Sequence, residues 1–111
     1  MAVQKDAGEL LLFFYDELVN KAKSGVGTQD VLNETGWDGN RINLAYNYLN
    51  DLGLLKGGGG AGTIEKAQIF YVLRLLPNGI NIVEDQPEFK RTFGFEVNLG
   101  LIKFSWGATE R

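Results

Sequence analysis

Apolar side chains recur at helical spacing over residues 7–23, where Leu11, Phe14, Tyr15, Leu18 and Ala22 share one side. Leu12, Phe13 and Val19 widen that face beyond a single stripe, so a second contact surface is expected on the same helix. Asp6 and Glu9 are spaced as a loose capping box, Lys21 and Lys23 suit the negative end of the helix dipole, and Gly25 suits the stop. A short helix follows from Thr28 as N-cap to Glu34, with Val31 and Leu32 inward and Gly36 closing it.

Residues 38–55 hold the helix around which the chain is organised. Asp38 is placed to cap it, and Trp37 and Ile42 form a hydrophobic staple. Gly53 provides a left-handed end before a short apolar strand at Leu54 and Leu55. Ile42, Ala45, Tyr46 and Leu49 make the core face, and Leu44, Tyr48 and Leu52 make a second apolar stripe beside it. The remaining arc holds Asn40, Asn43, Asn47 and Asn50, with Asp51 at its edge.

Past Lys56 comes a glycine-rich run, 57–62, and then a β-rich stretch from Ala67 to Leu75. The pattern predicts a hairpin with a long, mobile glycine tip. Pro77 fits the first position of a helix through about Asp85, with Ile80 and Val83 inward, and Pro87 is expected to close it. Beyond Phe89 the period changes. Phe93, Phe95, Val97, Leu99 and Leu101 alternate with Gly94, Glu96, Asn98 and Gly100, which predicts a half-buried strand. The phase then slips to Ile102, Phe104 and Trp106, as a bulge or a turn near 98–100 would cause.

The order helix, helix, helix, hairpin, helix resembles the winged helix-turn-helix superfamily over about residues 7–85. Residues 48–55 (Tyr48, Leu49, Asn50, Asp51, Leu52, Gly53, Leu54, Leu55) are similar to its junction between third helix and wing. Residues 71–84 are similar to its junction between strand and final helix, above all Leu75, Leu76, Pro77, Asn78, Gly79 and Ile80, with Leu76 replacing the usual threonine or serine. The resemblance implies an α+β winged helix-turn-helix: three helices, a β-hairpin wing and a fourth helix, here with an extra C-terminal β-rich tail. Residues 1–88 are then the winged-helix domain, and 89–111 a strand tail packed on that domain or on a second protomer.

Composition narrows the chemistry. The 111 residues hold neither cysteine nor histidine, which removes thiolate nucleophiles, Cys- or His-based metal sites and imidazole bases, so no enzyme, metal or cofactor is expected. Gly57 to Gly62 satisfies the glycine spacing of a dinucleotide loop and of a Walker A loop. A helix precedes it and a strand follows, however, and Thr63 and Ile64 stand where Lys and Ser/Thr would be needed. No apolar run is long enough to cross a membrane and no signal-peptide pattern opens the chain, so a cytoplasmic protein is expected. Net charge is −3; residues 1–56 carry five basic and eight acidic side chains, and 57–111 six of each. Nucleic-acid binders usually carry a basic excess, because phosphate neutralisation supplies much of their affinity.

Two functions remain. The resemblance implies a small transcriptional regulator, with the third helix in the major groove of double-stranded DNA and Asn40, Arg41, Asn43, Asn47, Tyr48, Lys56 and Lys66 as its contacts. Asn can bond adenine bidentately, although Leu44 and Tyr48 stand where DNA binders often carry basic or polar side chains. The alternative is a protein-interaction or dimerisation module on the same scaffold. Its contacts would be Leu44, Leu52, Phe93, Phe95, Val97, Leu99, Phe104 and Trp106, with a homodimer as the expected assembly.

Overall fold

The computed structural model describes residues 3–97, 99, 104 and 106. In chain order they form α1 (Val3–Tyr15), a π-helical turn (Asp16–Asn20), β1 (Val26–Gly27), α2 (Thr28–Thr35), α3 (Gly39–Asp51), β2 (Leu55–Ile64), β3 (Ala67–Leu75), α4 (Pro77–Glu84) and α5 (Gln86–Phe93). The architecture is α+β, with one antiparallel sheet in the order β1-β3-β2.

α1 is the axle of the core. Every residue from Asp6 to Tyr15 is buried, and the helix packs on α3, α4, α5 and β3. A helix covered on all sides can be apolar all round, which accounts for its two greasy faces. It starts at Val3, so Asp6 lies inside it and pairs with Arg41 instead of capping it. It also stops earlier than expected. The last turn widens into a π-turn, Ala22 takes a left-handed conformation (φ 54°), and Glu17 holds Lys21 and Lys23 at 2.8 and 2.6 Å. Gly25 serves packing: a Cβ there would lie 2.3 Å from the Tyr71 ring.

α2 is capped at Gly27, one residue before the expected Thr28, with the Gly27 N–H donating to the Asp30 carboxylate at 2.9 Å. The Thr28 hydroxyl accepts from the Phe70 N–H (2.8 Å) and donates to the Gln68 carbonyl (2.7 Å), continuing the sheet where β1 ends. α3 matches its signals. Asp38 accepts from the Arg41 N–H at 2.9 Å, Trp37 and Ile42 are buried, and Gly53 is left-handed.

The glycine run is not the tip of the hairpin but part of β2. Gly57, Gly58 and Gly59 pair with Val72, Tyr71 and Phe70, and a bulge follows before Thr63 resumes against Gln68. The turn is the residue pair Glu65 and Lys66, both left-handed, as a tight two-residue hairpin requires. The strands come so close that a Cβ on Gly57 would lie 2.0 Å from the Tyr71 carbonyl oxygen. Glycine here permits pairing.

Pro87 opens a helix. Asp85 caps α5 by accepting from the Glu88 N–H, Pro87 occupies its first turn, where a missing N–H costs nothing, and Gly94 (φ 84°) ends it. Phe93 is therefore the last residue of a helix, and Phe89 and Phe93, four apart, share its buried face. The predicted β-rich tail is corrected accordingly: no described residue beyond Leu75 lies in a strand. The alternation from Phe93 spans a helix end and a left-handed glycine, and so belongs to no single element. Of the expected turn at 98–100 only Leu99 is described, and the continuation through Leu101 and Ile102 lies outside the described residues.

Candidate interaction surface

The side chains expected to meet DNA divide into two groups. Arg41 and Asn43 are tied into the fold. The Arg41 guanidinium donates twice to the Asp6 carboxylate, at 2.7 and 2.9 Å, and lies 4.4 Å from the centre of the Trp37 ring. Both side chains of that pair are nearly buried. The Asn43 amide donates to the Lys66 carbonyl (3.0 Å) and accepts from the Gln68 N–H (2.7 Å), fastening α3 to the hairpin turn. Tyr48 is half-buried against the core. Asn40 and Asn47 are exposed on α3, and Lys56 and Lys66 are exposed on the hairpin.

Charge elsewhere is largely neutralised within the chain. Lys5 meets Glu9, Lys21 and Lys23 meet Glu17, Lys90 meets Glu96, and Arg91 meets Glu88. Among the described residues, the basic side chains outside any ion pair are Lys56, Lys66 and Arg74, all on the hairpin, and Lys56 and Arg74 are cross-strand neighbours.

The side chains expected at a protein interface divide in the same way. Trp106 is buried in an aromatic box. Its ring packs edge-on to Phe13 and Trp37, both at 5.6 Å, and stacks on Phe104 at 4.6 Å. The Trp37 indole N–H donates to the Trp106 carbonyl at 2.7 Å, and the Trp106 indole reaches Glu34 at 3.3 Å. Phe93 is buried beside Phe89, and Phe95, Val97, Leu99 and Phe104 pack partly buried on the same core. Leu44 and Leu52 differ, at 47% and 43% exposed on the outward side of α3.

A further apolar surface was not among the sequence candidates. On β3, Phe70 and Val72 face the core, where Tyr46 stacks on Phe70 at 4.1 Å and burial raises the Tyr46 phenol pKa. On the opposite face Tyr71 and Leu73 are 46% and 50% exposed and Ile69 is half-buried. They border a groove of about 400 Å³ over Gly58, Gly59 and Gly60. The signal was in the sequence: residues 69–73 are apolar without interruption, as in a strand meant to be covered on both faces.

Among the described residues no cluster of acidic side chains is arranged to hold a metal ion, and no helix is long and apolar enough to cross a membrane. Comparison with protein-family models, curated proteins and solved structures gives no match.

Proposed function

We propose that the chain is a non-enzymatic binding module of the winged-helix kind, that its contact surface is the outward side of α3, and that its partner is a protein. The helix order, the short β1 on the edge of the hairpin and the capped α3 support the winged-helix reading. One observation carries the choice of partner. Of the five α3 side chains assigned to DNA, Arg41 and Asn43 are committed to Asp6 and to the hairpin backbone and Tyr48 is half-buried, while Leu44 and Leu52 stand exposed. Large aliphatic side chains on an otherwise polar helix face gain by being covered.

A second reading has its own support. Lys56, Lys66 and Arg74 carry the unneutralised positive charge of the described residues, and a wing is placed to touch phosphates. Asn40 and Asn47 would then be the base-reading side chains.

Fluorescence anisotropy with a mixed-sequence duplex, at low and at moderate salt, separates the two. No binding at either salt is expected. Binding that weakens with salt and is lost in Lys66→Ala and Arg74→Ala would replace the protein-partner reading with the DNA one. The positive arm is retention of a protein partner by the immobilised chain, lost in a Leu44→Glu/Leu52→Glu variant with an unchanged circular dichroism spectrum.

A further inference from the structure

We propose that Asn78 is a spontaneous modification site gated by the first turn of α4. The closed turn protects the side-chain amide; an opened turn lets it convert to isoaspartate, which keeps the turn from closing again. Asn78 is the one asparagine of the chain followed by glycine. A following glycine has no side chain to shield its backbone nitrogen, and that nitrogen is the nucleophile that attacks an asparagine amide.

Packing dictates the pairing. α4 comes so close to the entry of β2 that a Cβ on Gly79 would lie 2.7 Å from the Leu54 carbonyl oxygen. The same oxygen accepts from the Leu76 N–H at 2.9 Å, so Leu54 fixes the start of the helix. Position 79 is therefore confined to a buried glycine, while Asn78 beside it is exposed to water. The closed turn withholds the nucleophile. The Gly79 N–H donates to the Leu76 carbonyl at 2.8 Å, and the Ile80 N–H donates to the same oxygen at 3.1 Å. Asn78 is helical, whereas closing a ring between its Cγ and the Gly79 nitrogen needs a backbone torsion outside the helical well. Gly79, pressed on Leu54, has no room for that swing.

Local opening of the first turn removes these restraints together. The Gly79 nitrogen then loses its proton and bonds to Asn78 Cγ, the Cγ–Nδ2 bond breaks, and ammonia leaves carrying that proton. Water next opens the succinimide. Cleavage between Cγ and the Gly79 nitrogen gives aspartate; cleavage between the main-chain carbonyl carbon and that nitrogen gives isoaspartate. Aspartate near the start of a helix suits the positive end of the dipole and lets the turn close. Isoaspartate adds a methylene to the main chain between Pro77 and Gly79. The bonds to Leu76 and the seat on Leu54 then fall out of register.

Peptide mapping by mass spectrometry tests this on the full chain, held in mildly alkaline buffer with and without unfolding urea. Conversion of Asn78 should be at least about tenfold slower in the folded chain than in urea. Pro77→Gly removes the ring that presets the first turn of α4. It should speed conversion in the folded chain by about threefold and leave the rate in urea unchanged. Asn43→Ala, which strips hydrogen bonds from the far end of the hairpin, should leave the folded rate as it is. Asn78→Asp should melt with the wild type, and the isolated isoaspartate form should melt lower. Equal rates with and without urea overturn the proposal. An acceleration by Asn43→Ala as large as that by Pro77→Gly also overturns it, because conversion would then pass through unfolding of the whole chain. An isoaspartate form that melts with the wild type does so too, since the turn would then close over it.

Discussion

Two apolar regions lie at opposite extremes of commitment. At one, Trp106 returns across α1 and is enclosed by Phe13, Trp37 and Phe104, with both indole N–H groups of the Trp37–Trp106 pair bonded inside the chain. At the other, Tyr71 and Leu73 stand on the outer face of β3 with about half their surface in water. Both regions are greasy in sequence. They differ in what the flanking residues supply: the box has large rings and polar partners from three parts of the chain, whereas the outer face of β3 is bordered by glycines with no side chain to contribute. Apolarity states that a surface needs cover, and the neighbouring side chains decide whether the chain covers it itself.

The largest expected effect tests the closed side. Trp106→Ala should cost about 3–5 kcal/mol in urea unfolding, because it empties a site that packs on α1 and on the turn between α2 and α3. Trp106→Phe should recover most of that and lose about 1 kcal/mol for the indole bond to Glu34. A loss below about 1 kcal/mol for the alanine variant would mean that the box is no more committed than the hairpin face.

Next come two of the α3 side chains that the winged-helix resemblance assigns to DNA. Arg41→Ala leaves Asp6 buried without its partner and should cost about 3 kcal/mol. Asn43→Ala strips the hairpin turn of two hydrogen bonds at an exposed position, for about 1 kcal/mol. If both variants melt like the wild type, their internal bonds are incidental and the side chains are available to a ligand after all.

The sequence signals that proved reliable are local and redundant. α3 carries a cap, a staple and a left-handed glycine that all agree, and α4 carries proline at its first turn; both stand where the pattern puts them. The failures come where one residue type supports opposite readings. Pro87 ends one helix and starts another equally well, Gly57 to Gly62 suit a loose tip as well as a tightly approached strand, and Asp6 with Glu9 looks like a cap until a helix begins upstream of it. The site was legible only as a list of exposed-looking residues. That Arg41 and Asn43 are spent inside depends on Asp6, 35 positions earlier, and on the Lys66 carbonyl, 23 positions later. No periodicity reports such distant partners.

A smaller effect lies at the junction of α1 and α4. The Tyr15 hydroxyl donates to Glu84 at 2.7 Å, and that bond, together with burial and the carboxylate charge, raises the Tyr15 pKa from 10.0 to about 12. A group whose pKa is raised by folding stabilises the fold fully below its unfolded pKa and loses that contribution as pH climbs through the folded one. The melting temperature should therefore fall between about pH 10 and 12, and the Tyr15→Phe variant should fall less over the same window. Equal slopes for the two proteins would show that the bond makes no difference.

The smallest expected effect bears most directly on function. Leu44→Gln keeps the helix propensity of α3 almost unchanged and removes an aliphatic side chain that is 47% exposed. If the outward side of α3 is open in the free protein, urea unfolding should shift by no more than about 0.5 kcal/mol. The glutamine variant would then remove a partner contact without disturbing the fold that presents it. A cost of more than about 1.5 kcal/mol would show that Leu44 is covered within the free protein, as Trp106 is. The open side of the comparison would then shrink to the hairpin face, and the partner assigned to α3 would have no surface to bind.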